Sequence, residues 1–226
     1  MLRRLKIAQP HREYAFIREV RKDLDGGFTP IVCIVGRPRT GKSMAGLEIC
    51  KMFDKTFTIQ SHCFFNMRDF LNTCETARGR WLMIDEADER MNKLEHWSAE
   101  NKVMNTILRT QAINKNCLVF CLPAVRNLAS MQIPFVRFVI KMKARGIGMV
   151  KRWDYNWDTL DAKPLKSRII NFNMRIPRVP KEMVAAYRDK ELRDKAEIFK
   201  KRKLEFEEYE DAANPDVTKF IKAVAA

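Results

Sequence analysis

The chain has 226 residues, of which 46% are hydrophobic, and carries a formal net charge of +15. This length and apolar content suit one compact domain with a substantial core and a modest appendage. So large a positive charge favours a polyanionic partner, nucleic acid or an anionic membrane surface, although an unrelated basic surface is the alternative. No apolar run approaches the roughly 20 residues of a transmembrane helix, and the start lacks the apolar stretch of a signal peptide. We therefore expect no transmembrane segment and a cytoplasmic location.

The six cysteines are scattered, with no CxxC pair. Several lie inside apolar runs, where cysteine behaves as a small buried hydrophobe, so a reducing, intracellular setting fits best. His62, Cys63 and Cys74 lack the close paired spacing of zinc ligands. Packing is therefore the preferred interpretation of these three residues.

The first predicted element is a helix in the basic N-terminal segment, residues 1–29. Pro10 suits the first turn of this helix and Gly26-Gly27 ends it. We expect the helix to lie on the main domain.

The main domain, predicted over residues 30–160, alternates apolar runs with helical patterns. Short apolar runs predict strands, most of them buried on both faces, at 31–35, 56–59, 81–84, 117–122 and 135–140. Apolar stripes at helical spacing predict helices at 42–53, 66–77 and 99–112. A strand at 147–153 would pair with its predecessor across a turn at Arg145-Gly146. This order predicts an α/β fold with a mostly parallel sheet and helices on both faces.

Residues 161–226 are predicted to form a linker and a charged C-terminal helical extension. Pro180 opens a long helix that runs to about Ala212, with basic and acidic side chains interleaved along it. Such a mixture is typical of a solvated helix, or of one laid against another subunit.

A phosphate-binding loop follows the first buried strand. Gly36-Arg37-Pro38-Arg39-Thr40-Gly41-Lys42-Ser43 matches the pattern G-x-x-x-x-G-K-[ST] in full. Glycines let several backbone N–H groups face one anion, and the next helix points its positive N-terminus at the phosphates. Lys42 would reach the terminal phosphates, and the Ser43 hydroxyl would bind Mg²⁺. The sequence therefore predicts a site for ATP with Mg²⁺.

An acidic pair follows the buried run at 81–84. Asp85 would hold Mg²⁺ directly or through water, and Glu86 is the predicted general base that polarises the attacking water. Alternatively, Glu86 caps the start of a helix, where acidic residues are favoured. The Asp85-Glu86 pair resembles motor-type ATPases such as helicases, AAA+ proteins and translocases, rather than small kinases or GTPases. In that group an extra strand separates the P-loop strand from the acidic strand.

Arg109 is the predicted catalytic arginine, because motor ATPases commonly place an arginine where it can contact the nucleotide bound to a neighbouring subunit. A plain surface arginine is the alternative. Many relatives also end the next strand with a polar residue that senses the γ-phosphate, but here that strand ends in Cys121-Leu122-Pro123. Gln111 or Asn116 could take this role, or the sensing is absent.

The segment from Arg126 to Trp153 contains seven basic residues and no acidic one, and Trp157 follows closely. Basic side chains contact phosphates without reading sequence, and aromatic rings stack on unpaired bases. The segment therefore predicts a nucleic-acid interface, with double-stranded DNA as the first choice. A solvated basic face and tryptophans in the core are the alternatives.

Together these motifs resemble the FtsK/HerA-type P-loop ATPases of the RecA/ASCE-like class, especially the small versions in archaeal viruses and plasmids and their genome-packaging relatives. They are also similar to the Zot-like ATPases that help assemble filamentous phage. The resemblance covers roughly residues 30–153, and only the P-loop and the acidic strand end are specific within it. It implies a homo-oligomeric ring, commonly a hexamer, with ATP sites between subunits and DNA moved through the centre. A viral chain of this kind would act in the host cytoplasm.

The first hypothesis is therefore a Mg²⁺-dependent ATPase that translocates DNA, for genome packaging or plasmid transfer. A Zot-like assembly motor would act on protein at a membrane, and such proteins usually carry a transmembrane segment, which is not visible here. A replication-associated ATPase or helicase loader is a third hypothesis. A nucleotide-gated binding module with little turnover is the fourth.

Overall fold

The computed structural model describes residues 11–85, 99–125, 128, 132–156, 161–164, 171–176 and 178–213. The helices in these ranges are α1 (His11–Asp25), α2 (Lys42–Phe53), α3 (Ile59–His62), α4 (Met67–Thr76), α5 (Ala99–Asn114) and α6 (Lys181–Ala213). The strands are β1 (Ile31–Val35), β2 (Cys63–Phe64), β3 (Trp81–Asp85), β4 (Cys117–Leu122), β5 (Val136–Ala144), β6 (Ile147–Asn156), β7 (Asp161–Pro164) and β8 (Asn171–Arg175).

All eight strands join one sheet, in the order β2-β3-β4-β1-β5-β6-β7, and β8 also pairs with β6. The five strands from β2 to β5 in this order are parallel, whereas β6 is antiparallel to β5 and to both β7 and β8. Strand β4 lies between β1, which leads into the P-loop, and β3, which ends in Asp85. The predicted α/β P-loop fold is confirmed, and β4 is the extra strand expected between the P-loop strand and the acidic strand.

The sheet is covered on both faces. On one face Val32 and Ile34 of β1 pack in a cluster with residues of α1, α2 and α6. On the other face the alternate residues of β1 pack in a second cluster with residues of α4 and α5. Every residue of β1, β3 and β4 is buried because helices lie on both sides of these central strands.

One predicted strand, at residues 56–59, is wrong. Thr58 instead precedes the short helix α3, and its backbone N–H donates a hydrogen bond to Nδ1 of His62 at 3.0 Å. Phe57 and Ile59 are buried as an apolar run requires, but local hydrogen bonds decide the conformation there. The edge strand β2 starts only at Cys63 and pairs with β3.

The sheet runs past the boundary predicted near residue 160. Strands β7 and β8 both pair with β6, which begins before that position. Helix α1 lies against the same sheet, where the ring of Phe16 meets that of Phe138 edge to face at 5.5 Å. The division of the chain at residues 29 and 160 stays a prediction.

Helix α6 begins where the sequence predicts it, directly after Pro180. Its first turns pack against the core cluster that contains Val32 and Ile34 of β1, through Met183, Ala186 and the buried Tyr187. Further along, α6 exposes the large apolar side chains of Leu192, Phe199 and Leu204. Among the described residues, no helix combines the length and apolar character that crossing a bilayer requires.

The cysteines are all buried, each no more than 2% exposed. Burial raises the pKa of Cys74 and of Cys117 to about 12, so these thiols stay protonated and unreactive at neutral pH. We expect the native protein to show almost no reaction with Ellman's reagent over minutes. All six thiols should react once the chain is unfolded in denaturant. A thiol that reacts at once in native buffer would contradict this packing.

Candidate nucleotide-binding site

The P-loop curls tightly between the end of β1 and the start of α2. Gly41 adopts a left-handed conformation with φ of +86°, and Arg39 does so with φ of +64°. The hydroxyl of Thr40 donates a hydrogen bond to the carbonyl of Arg37 at 2.7 Å, which closes the turn. A side chain at Gly41 would be strained by the backbone conformation, so the second glycine of the motif is needed for this geometry.

The ammonium group of Lys42 lies over this loop. Its Nζ donates hydrogen bonds to the carbonyl of Gly36 at 3.1 Å and to that of Arg37 at 3.3 Å. Lys42 is also the first residue of α2, whose N-terminus carries unpaired backbone N–H groups and a positive partial charge. The ammonium group of Lys42 and the N-terminus of α2 therefore place positive charge at the same point, as the binding of a phosphate requires.

A glycine inside α2, which does not belong to the P-loop motif, brings this helix close to the sheet. A Cβ at Gly46 would lie 2.8 Å from Sδ of Met83 and 3.1 Å from Sγ of Cys121. Met83 belongs to β3 and Cys121 to β4, so α2 lies directly on β4, which neighbours the P-loop strand, and on β3 beyond it. A glycine inside an otherwise helical pattern was the signal for such a close approach.

Asp85 reaches the same edge of the sheet from β3. It is only 4% exposed and lies in register with Cys121, which in turn lies in register with Ile34 near the end of β1. The carboxyl ends of these parallel strands meet at one edge, and this edge carries the P-loop. The structure thus places Asp85 beside the start of α2.

Ser43 and Asp85, the two predicted Mg²⁺ ligands, are brought together at a third side chain. The phenol of Tyr187, on α6, donates a hydrogen bond to Oδ2 of Asp85. The side chain of Ser43 also lies close to this phenol. A hydroxyl and a carboxylate that share one neighbouring atom form an oxygen-only ligand pair, which suits Mg²⁺. The residues present therefore fit a nucleotide with its magnesium ion.

Tyr187 was not predicted as a site residue. It is 4% exposed. Burial, and then the charge of Asp85, raise the pKa of Tyr187 far above its usual range, so the phenol remains a neutral donor. Nothing in the charged pattern of α6 distinguishes this tyrosine from one that merely packs.

The other predicted site residues are placed less directly. Glu86 lies outside the described residues. Arg109 is exposed on α5, ten residues or about 15 Å after its first residue. Helix α5 leads to the start of β4, at the edge opposite the P-loop, so Arg109 does not approach the P-loop of its own chain.

The suggestion that Asn116 senses the γ-phosphate is wrong. Asn116 directly precedes β4, at the edge opposite the P-loop. Its Oδ1 accepts a hydrogen bond from the backbone N–H of Arg80, and its Nδ2 donates to the carbonyl of Ala77 at 2.9 Å. Its buried amide therefore fastens the loop before β3. The side chain of Gln111, the other suggestion, lies outside the described residues.

The basic segment from Arg126 to Trp153 divides into inward and outward parts. Arg137 forms an ion pair with Asp23 at 3.0 Å, and Arg152 forms ion pairs with Glu19 at 2.7 Å and Asp23 at 3.1 Å. These two arginines fasten α1 to the sheet. Trp153 is half-buried and packs against the second core cluster. This contact agrees with the interpretation of the tryptophan as a core residue. Arg126 and Trp157 lie outside the described residues.

The outward part of the segment is the basic hairpin, defined here by Lys141, Lys143, Arg145 and Lys151. Lys141 and Lys143 are exposed near the end of β5, where its register with β6 shifts. Lys151 pairs with Val139, two residues before Lys141, and so lies on the same face as Lys141. Arg145, at the tip, directs its Nε toward the carbonyl of Arg39 in the P-loop, 3.4 Å away. The basic hairpin therefore adjoins the candidate nucleotide site.

No family model matches the sequence, and no curated protein matches it. Among solved structures, the N-terminal domain of zonular occludens toxin from Neisseria meningitidis is similar, with a TM-score of 0.47 and 15% identity. That match covers 68% of this chain and 96% of the other.

Two virus proteins give similar matches. The DNA-packaging ATPase B204 of Sulfolobus turreted icosahedral virus has a TM-score of 0.42 and 12% identity. The genome-packaging NTPase B204 of Sulfolobus turreted icosahedral virus 2, in complex with ATPγS, has a TM-score of 0.38 and 11% identity. Each covers 60% of this chain and 96% of the other. This P-loop chain is thus similar in structure to a Zot domain and to viral packaging ATPases, the two kinds of protein that its motifs resemble.

Proposed function

We propose that this chain is a Mg²⁺-dependent ATPase that works as a DNA-translocating motor, for genome packaging or transfer of a mobile element. The observation that carries the proposal is the meeting of Lys42, Ser43 and Asp85 at one edge of the sheet. An ATP-binding loop needs a cation over the phosphates and oxygen ligands for the metal, and these residues supply both.

Each residue has a defined part in the proposed reaction. Lys42 holds the oxygens of the terminal phosphate while the start of α2 holds the phosphates through backbone N–H groups. Ser43 and Asp85 orient the metal, which, when bound, draws charge from the phosphate that is transferred. Glu86 takes the proton from the attacking water as general base.

The basic hairpin supports DNA as the load. Three of its basic side chains, Lys141, Lys143 and Arg145, are exposed, and it belongs to a chain with a net charge of +15. Phosphate contacts of this kind do not depend on sequence, which suits a motor that must move along any DNA. Because Arg145 touches the P-loop, a change at the nucleotide reaches the hairpin through one contact.

We further propose a homo-oligomeric ring, which the sequence resemblance implies. In it Arg109 of one subunit would approach the nucleotide of the next. Its exposed position on α5 leaves it accessible to a neighbour.

The decisive experiment measures ATP hydrolysis with and without duplex DNA, together with the assembly state under ATP. Several-fold stimulation by duplex DNA, with assembly of a ring, is the expected result. Stimulation by single strands with strand separation would favour a helicase instead. Tight ATP binding without turnover would leave only the nucleotide-gated binding module.

The double variant Lys141→Gln/Lys143→Gln should bind duplex DNA more weakly and lose most of the DNA stimulation, while its basal ATPase rate stays unchanged. If both lysines contact phosphates, the slope of log Kd against log salt should become shallower by about 1.8, since each contact contributes about 0.9. The matched control is Lys51→Gln/Lys55→Gln, which removes the same charge from exposed positions at the far end of α2. An equal loss in both double variants would refute a specific role for the hairpin.

A further inference from the structure

The first turns of the C-terminal helix α6 enter the candidate metal site. The phenol of Tyr187 donates a hydrogen bond to Asp85 and lies close to the side chain of Ser43. These are the two side chains that would hold Mg²⁺ in the proposed function. Helix α6 therefore occupies the place where the P-loop and the acidic strand end meet.

Contacts on both sides of the phenol hold it in this position. The ring of Tyr187 packs on the ring of Phe65, with centroids 5.2 Å apart. One turn later, Nζ of Lys190 donates hydrogen bonds to the carbonyls of Gln60 at 2.6 Å and Ile59 at 3.3 Å. The same ammonium lies 5.1 Å from the ring centroid of Phe64. Helix α6 is thus fastened to α3 and β2, next to β3.

A magnesium ion and this phenol compete for the same ligands. Mg²⁺ requires near-octahedral oxygen ligands at about 2.0–2.1 Å, so Ser43 and Asp85 must turn their oxygen lone pairs to the ion. In the structure Oδ2 of Asp85 instead accepts a hydrogen bond from the phenol, and the side chain of Ser43 lies close to the same phenol. The phenol therefore opposes direct binding of the ion at Oδ2 of Asp85.

We propose that Tyr187 is an autoinhibitory latch, by which α6 closes the Ser43–Asp85 metal site and must withdraw before Mg²⁺ and nucleotide bind. The inference rests on the proposed function, because it takes Ser43 and Asp85 as the magnesium ligands. It adds a coupling between the nucleotide site at the P-loop and the C-terminal helix α6. Binding at the P-loop releases the start of α6, and anything that draws α6 away opens the site.

The test uses the full chain with Tyr187→Phe, which keeps the ring but removes the hydroxyl. A hydrogen bond to a charged group is worth roughly a tenfold change or more in an equilibrium. We expect the Mg²⁺ concentration for half-maximal binding of a fluorescent ATP analogue to fall about tenfold. Tyr14→Phe is the matched control, because it makes the same change in α1, and it should not shift this concentration.

A second variant opens the latch without touching the metal site. Lys190→Ala removes the bonds between α6 and α3, and it should also lower the required Mg²⁺ concentration. In the wild type, hydrogen exchange of residues 181–190 should become faster when Mg²⁺ and ATPγS are added together. This readout follows the helix itself and does not depend on turnover.

The outcomes separate the latch from the function on which it rests. If the wild type and Tyr187→Phe bind the analogue with the same Mg²⁺ requirement, the ATP site stands and the latch is refuted. A higher requirement in Tyr187→Phe, or slower exchange of α6 with Mg²⁺ and ATPγS, would make Tyr187 a positioning residue instead. If neither protein binds the analogue, the proposed function fails and the latch falls with it.

Discussion

Replacing Lys42 with alanine should lower ATP turnover at least about a hundredfold and weaken ATP binding at least about tenfold. The ammonium of Lys42 lies over the P-loop beside the first turn of α2, where it would meet the terminal phosphates. Removing one such donor typically costs a factor of 10² to 10³ in rate, because charge that develops in the transition state loses its partner. Turnover at saturating ATP and Mg²⁺, and titration with a fluorescent ATP analogue, measure the two effects.

The matched control is Lys51→Ala in the last turn of the same helix. Lys51 is exposed and lies nine residues, or about 14 Å, from Lys42 along α2. Its removal should leave both turnover and ATP binding within about twofold of the wild type, since the charge is far from the phosphates and screened. Thermal unfolding of Lys42→Ala should resemble that of the wild type, because Lys42 bonds only to carbonyls that water can also reach. Turnover that survives in Lys42→Ala would refute the proposed site.

Some parts of this fold could be predicted because local sequence determines them. The buried strands β1, β3 and β4 are continuous apolar runs, and only a strand covered on both faces accommodates them. The P-loop motif specifies its own backbone, since Gly41 supplies a conformation that other residues rarely adopt. The placement of β4 between β1 and β3 followed from the acidic pair, through the class of ATPase that this pair resembles.

Other parts depend on contacts between distant residues, which a pattern along the chain does not show. Asp161–Pro164 and Asn171–Arg175 contain no apolar run, yet both pair with β6 as strands. Arg137 and Arg152 count as basic residues in the sequence. In the structure both arginines form ion pairs with acidic residues of α1, Glu19 and Asp23, which lie more than a hundred residues earlier in the chain. Only three-dimensional pairing separates these arginines from the exposed lysines of the basic hairpin.

Tyr187 shows the same limit at the candidate site. It lies 102 residues from Asp85 in sequence, and no spacing rule connects them. Its position inside the site matters for every measurement on the full chain, because a latched metal site would lower apparent Mg²⁺ affinity. Comparisons among variants are therefore best made at saturating Mg²⁺.

The Glu86→Gln variant should bind ATP as tightly as the wild type and lose turnover by about 10² to 10⁴. An amide in place of the carboxylate cannot take the proton of the attacking water, and a general base contributes a factor of that order. Glu86 directly follows Asp85, whose side chain the structure places beside the start of α2. ATP-analogue binding and single-turnover hydrolysis, measured on the same protein, would show binding without chemistry. This result differs from that of Lys42→Ala, which should lose both.

Glu89→Gln is the matched control, with the same change three residues later in the same acidic stretch. It should leave turnover within about threefold of the wild type, because the role of general base depends on the position directly after Asp85. If Glu86 only caps a helix, Glu86→Gln would instead cost a small part of the free energy of unfolding, roughly 0.3–1 kcal/mol. Turnover would then stay close to the wild-type rate. The measured rate therefore decides whether Glu86 acts as the general base of ATP hydrolysis or only caps a helix.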